Sequence, residues 1–412
     1  MDQYIERLVF CLIFCLIFFP ETSLNTALSI NKESLYSVYL YKVMGVLTIS
    51  DLIILFLAFI VLIRTILRGS IGFGVATPIF CIYLFYYFLG GIFNIFVAME
   101  LKAFLYDIKA GLYLFIPFMV LKDSSLRITE TLIIKVAIIF TFGILMDAII
   151  INYSGGGHYP SNLNLIPILE IFPLSLLVGM LFLFSNRKLK VLSGFAFFFE
   201  VFSSINRVNL GALLNGVISF TWVILIKLKF SFKLMVGSMI ALYYFIVVGL
   251  MNLIMYVQNP LMKYKEDGWL IRKIEIQNFF ENSLMNFPII IGKGLGTTWK
   301  EVFFSPISNV YSQGSFLYSE NNFIFHNTLG GTFYKFGIVG SLLIITYLAI
   351  LSTRVLFLTK NTKNDSIGAF LSFSIPAFVM ININGIGLLK GALISSLILF
   401  SINQLLKDKP LY

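Results

Sequence analysis

The sequence is a succession of apolar runs, each about 20 residues long and separated by short polar breaks, and that pattern leaves few folds open. Such a run is what an α-helix needs to cross the roughly 30 Å hydrocarbon core of a bilayer. Twelve can be placed, near residues 5–22, 51–68, 76–97, 104–121, 131–151, 164–185, 190–205, 208–226, 234–256, 324–350, 366–383 and 387–406. Hydrocarbon offers no partner to backbone N–H and C=O groups, so runs of this length must satisfy them internally as helices. The expected fold class is therefore all-α, a polytopic integral membrane protein with about 12 transmembrane helices. Residues 35–50 are interrupted by Lys42 and Gly45 and read as an interfacial segment leading into the helix that begins near Asp51.

Composition agrees with this class. The chain is 58% hydrophobic and 12% charged, against about 45–50% and about 25% for a soluble domain. Basic residues favour the cytoplasmic side of short loops. Arg64 and Arg68, Lys122 and Arg127, Arg187 and Lys188, Lys227 and Lys229, Arg354 and Lys360, and Lys407 with Lys409 all fall on one side of the twelve-span arrangement, as does Arg7. Both termini are expected in the cytoplasm, with the chain in a bacterial cytoplasmic (inner) membrane. The same small clusters account for the net charge of +10 through contacts with membrane lipids, so no nucleic-acid partner is expected. The first run, with Arg7 ahead of "LVFCLIFCLIFF", reads as a retained signal anchor. The three cysteines, Cys11, Cys15 and Cys81, read as small apolar packers.

The organising feature is one long hydrophilic loop. It divides the chain into nine N-terminal helices over residues 1–257, an exterior loop over 258–322 and three C-terminal helices over 323–412. Within the loop, "GWLIRKIEIQNFFENSLMNFPIIIGKGLG" carries Ile271, Ile274, Phe279 and Leu284 at helical spacing. The amphipathic helix they predict ends before Pro288. Gly292, Gly294 and Gly296 follow. Without a strand before them and a long helix after them they read as a tight turn rather than a phosphate cradle. Glu266 and Asp267, beside Lys263 and Lys265, read as a solvated surface rather than a metal site. Tyr311, Phe316 and Tyr318 are compatible with sugar stacking, although an interfacial aromatic band is the commoner explanation. No metalloprotease, Walker-type or nucleophile-elbow motif is present.

Ionisable residues at helix ends are the remaining signals. Arg207 stands in "FSSINRVNLGALL" at the outer end of a helix, with Glu200 seven residues earlier on the same face. An arginine there must snorkel or find an anion. His326, in "FIFHNTLGGTFYKFG", is one of only two histidines and heads an apolar run with Asn327. Taken alone it is an ordinary hydrogen-bonded histidine at a helix start. His158, in "NYSGGGHYPSN", is read as a loop residue.

Together, "INRVNL", "IRKIEIQNFFENSLMNFPIIIGKGLG" and "HNTLGGTFYKFGIVG" occur in an order that resembles the bacterial O-antigen ligase and O-antigen polymerase superfamily. Topology is similar over the whole chain and the specific motifs run from about Ser203 to Gly340, with Asn206 where that family usually has serine or threonine. The resemblance implies a GT-C-like glycosyltransferase that moves a glycan from undecaprenyl diphosphate to an acceptor hydroxyl, inverting the anomeric centre without metal or other cofactor. It implies that Arg207 and Arg272 bind the diphosphate, that His326 is the general base, and that Asn327, Glu275, Gln277 and Glu200 support them. The partners implied are the undecaprenyl-diphosphate-linked glycan donor, a glycan acceptor, and a chain-length regulator and flippase of the same pathway. Polymerase is the first expectation and O-antigen ligase, acting on lipid A-core, the alternative. A lipid-linked sugar transporter, which would also have about twelve helices, is a third reading, favoured mainly by Glu170 and Glu200 within apolar runs.

Overall fold

A computed structural model describes residues 4, 7, 42–43, 47–69, 72–97, 101–122, 288–297, 299–300, 321–322, 328–359 and 388–407. These residues are predominantly helical. Five of the expected spans fall among them, and each is helical: α1 (Ile49–Arg68), α2 (Thr77–Val97), α3 (Leu101–Leu121), α5 (Thr328–Thr359) and α6 (Leu388–Lys407), with the single-turn helix α4 (Pro288–Ile291) between α3 and α5. Two segments, Gly74–Ile92 and Tyr334–Val355, are long and apolar enough to cross a membrane. The other expected spans lie outside the described residues.

Local chemistry sets the ends of these helices. Ahead of α1, β1 (Lys42–Val43) pairs antiparallel with β2 (Leu47–Thr48), Lys42 opposite Thr48 and Val43 opposite Leu47. At the far end of α1, Gly69 adopts φ 65° and donates its N–H to the carbonyl of Thr65 at 2.9 Å. A left-handed residue closing a helix is where glycine costs least. Before α2, the 3-10 turn Gly74–Ala76 is closed by the Thr77 hydroxyl, which donates to the carbonyl of Gly74 at 2.8 Å. Pro78 follows in the first helical turn, where its missing N–H would have no intrahelical partner.

α3 is the centre of the described bundle, packed on by α1, α2 and α6, while α5 lies against α2. Tyr113, Leu114, Phe118 and Leu121 of α3 are essentially fully buried, as are Ile54 and Leu57 of α1 and Phe400 and Ile402 of α6. An aromatic seam runs along α2. Phe80 meets Phe115 of α3 at 5.2 Å between ring centroids, and Tyr83 and Tyr86 meet Phe336 of α5 at 5.4 and 4.9 Å, all edge-to-face. The opposite faces are apolar and exposed: Leu84, Phe85, Phe88 and Ile92 on α2, and Ile338, Val339, Leu342 and Leu343 on α5. Helical spacing gathers each set into one contiguous stripe.

The two ends of the bundle carry different polar contacts. At one end Lys122 donates through Nζ to the carbonyl of Gly72, Lys407 Nζ donates to the carbonyl of Lys122 at 3.2 Å, and Tyr347 donates to the carbonyl of Val75. At the other end Lys109 and Tyr113 donate to the carboxylate of Asp51, at 3.0 and 2.9 Å, while Asp107 binds Lys335.

Candidate functional site

The sequence places its candidate chemistry on Arg207, Arg272, His326 and Asn327, with Glu200, Glu275 and Gln277 in support. All seven lie outside the described residues, as do Glu266 and Asp267. The described elements nevertheless include the parts of two motifs that flank them: the glycine turn in the middle of the long loop, and the helix that begins one residue after Asn327.

That helix is broken. Gly337 interrupts α5 with φ 62° and ψ −175°, which separates a short leading segment, 328–336, from the apolar remainder. A break leaves the last carbonyls of the leading segment without intrahelical donors. The glycine turn supplies them: Lys293 N–H donates to the carbonyl of Tyr334 at 2.8 Å, and Gly294 N–H to that of Lys335 at 2.9 Å. The approach is so close that a Cβ at either Gly292 or Gly337 would overlap the other segment's backbone. Glycine at both positions is therefore a steric requirement as well as a conformational one, since Gly292 has φ 87°.

The same turn is docked on α2 and α3. Leu295 N–H donates to the carbonyl of Tyr86 at 2.9 Å, an approach permitted because Gly90, one turn further along α2, has no side chain; a Cβ there would collide with the Leu295 carbonyl. Gly296 N–H donates to Asp107 Oδ2 at 2.6 Å, and the Thr297 hydroxyl closes the turn on the carbonyl of Gly294 at 2.7 Å. Asp107 is buried, and its carboxylate also takes Lys335 Nζ at 2.6 and 2.8 Å. One carboxylate thus joins α3, the glycine turn of the loop and the leading segment of α5.

This geometry limits what the turn can do. The N–H groups of Lys293, Gly294, Leu295 and Gly296 all donate within the protein, so that run has no free donors for a phosphate cradle. The "IGKGLG" stretch is a structural clasp. Beyond it, β3 (Trp299–Lys300) pairs antiparallel with β4 (Asn321–Asn322), closing the intervening residues 301–320 into a loop at its base. Residues 323–327, which include His326 and Asn327, join β4 to α5.

Three charged residues of this end escape the motif-based reading. Asp107 and Lys335 each sit within an apolar run, and an isolated ionisable group in such a run is itself the signal that a partner exists elsewhere. Lys293 lies between Gly292 and Gly294 in the turn. Its Nζ lies 2.7 Å from the Tyr334 hydroxyl and 4.7 Å from the centroid of that ring, and burial lowers its pKa from the ordinary lysine value. Among the described residues no group of three or more His, Cys, Asp and Glu side chains is placed to hold a metal ion.

No protein-family model matches the sequence, and no curated protein matches it.

Proposed function

We propose that the chain is an integral membrane glycosyltransferase that polymerises undecaprenyl-diphosphate-linked repeat units into a surface polysaccharide at the outer face of the cytoplasmic membrane. The observation that carries this reading is the clasp: the glycine turn within the long loop and the leading segment of α5, which bear the second and third motifs, are hydrogen-bonded to one another. A loop shaping an active site has to be fixed against the helix that presents the catalytic residue, because positioning is much of what catalysis requires. The polarity of the bundle also supports it. Lys122 and Lys407, assigned to the cytoplasm from sequence, meet at one end, and the glycine turn of the loop is bound at the other.

In this reading His326 takes the proton from the acceptor hydroxyl as its oxygen attacks the anomeric carbon. The bond from that carbon to the phosphate oxygen breaks, and its electron pair leaves with undecaprenyl diphosphate. Arg207 and Arg272 hold the leaving diphosphate through paired N–H donors. The test is transfer by purified protein in nanodiscs supplied with a lipid-linked repeat unit. Longer lipid-linked glycans together with free undecaprenyl diphosphate are expected; translocation of the donor across liposomes without a new glycosidic bond would refute the proposal.

A further inference from the structure

Among the described residues of the clasp, one cation stands apart from the carboxylates. Lys109 and Lys335, at the same end of the bundle, are each neutralised by a carboxylate, Asp51 and Asp107 respectively. Lys293 has no carboxylate partner among the described residues, and its contact is a neutral phenol. An ammonium carries three N–H donors, and the Tyr334 hydroxyl accepts one of them. The Tyr334 ring adds a cation–π attraction that holds the group in place without cancelling its charge. Burial disfavours the charged form, and an anion beside the ammonium would offset that cost.

The surroundings narrow the choice of anion. Lys293 is fixed by its own backbone, since its N–H donates to the carbonyl of Tyr334 while its side chain returns to the hydroxyl of the same residue. It is therefore held against the leading segment of α5, which starts one residue after Asn327. The N–H groups of Gly294, Leu295 and Gly296 are occupied, so a ligand at this point would be held by the Lys293 side chain rather than by those backbone groups. A compact, strongly hydrated ammonium suits a phosphate oxygen, which it meets as a point charge.

We infer that Lys293 binds a phosphate oxygen of the lipid-linked diphosphate donor, as a third cation beside the two arginines. This rests on the proposed function, and phospholipid headgroups offer the same chemistry, so the experiment must separate the three. The full-length protein is placed in phosphatidylcholine nanodiscs, and binding of undecaprenyl diphosphate is measured for wild type, Lys293→Gln and Lys293→Arg, with phosphatidylglycerol as competitor. Loss of one charge-assisted hydrogen bond should raise Kd in Lys293→Gln by about tenfold or more, with Lys293→Arg close to wild type. In turnover, KM for the donor should rise more than kcat falls, whereas a purely structural role would reduce the folded fraction and leave KM unchanged. Unchanged binding by Lys293→Gln would overturn the inference and leave the proposed function standing. So would a change confined to competition by phosphatidylglycerol, which would assign the lysine to headgroups. Wild-type protein with no affinity for undecaprenyl diphosphate would overturn the proposed function and this inference together.

Discussion

Asp107 of α3 and Lys335 of α5, 228 positions apart, form an ion pair at 2.6 Å in which the carboxylate also accepts the N–H of Gly296. Both side chains are largely buried, at 5% and 14% exposure. Removing one partner of such a pair leaves the other as an uncompensated charge, which costs about 3–5 kcal/mol. Asp107→Ala is therefore expected to lower thermal stability severely in detergent. Asp107→Asn, which keeps an acceptor for Gly296, should cost less, and Asp107→Ala combined with Lys335→Met should recover part of the loss. Equal melting temperatures for Asp107→Ala and wild type would show that the clasp does not depend on this carboxylate.

Adjacent glycines in α2 should respond oppositely to alanine. A Cβ at Gly90 would collide with the Leu295 carbonyl, while one at Gly91 would meet nothing within 4 Å. Gly91→Ala should stabilise by about 0.5–1 kcal/mol, the ordinary helical gain. Gly90→Ala should displace the glycine turn and be destabilising. Thermal unfolding of both variants, with proteolysis of the loop as a second readout, checks the contrast.

Gly292→Ala and Gly337→Ala should each be more damaging than Gly69→Ala, although all three residues have positive φ. At Gly69 nothing lies within 4 Å, so the cost is the backbone term alone, about 1–2 kcal/mol. At the other two positions backbone overlap adds to it. Folded yield after membrane extraction distinguishes them.

For the unliganded protein, Lys293→Met is expected to raise stability. Burial lowers the lysine pKa in the folded state, so the unfolded chain binds more protons there. Stability then rises with pH from the lowered folded pKa up to about 10.4, the unperturbed value. The methionine variant should lose that pH dependence and melt higher at neutral pH. A lower melting temperature would mean that the ammonium stabilises the fold.

His326→Ala should reduce transfer about 10²- to 10⁴-fold, the usual contribution of a general base, at normal membrane abundance. Arg207→Lys and Arg272→Lys should also be deficient, because a point charge replaces a planar fork. If Arg207 and Arg272 carry the diphosphate charge as proposed, turnover of purified donor should survive excess EDTA. Full activity of the three variants would return these side chains to helix-end roles, and rescue by magnesium after chelation would point to Glu266 and Asp267. Deleting the gene should collapse the surface glycan ladder to single repeats; long polymer persisting on its undecaprenyl carrier would favour ligase.

Among the described residues, periodicity and run length were enough to place the helices. The expected spans at 51–68, 76–97, 104–121 and 387–406 differ from the observed helices by a few residues at their ends, because an apolar run of this length satisfies its own backbone locally. The tight turn at "IGKGLG" was legible for a similar reason, since three alternating glycines permit the positive φ values of 87°, 90° and 81° observed there. The break at Gly337 was not legible, because the residues around it continue an apolar pattern and the glycine becomes necessary only when Gly292 packs against it. Nor could the sequence reveal that Asp107 would meet Lys335 and Gly296, or that Lys293 would face a tyrosine hydroxyl rather than a carboxylate. Those are contacts between distant segments, decided by how helices pack and which backbone groups a kink leaves without partners.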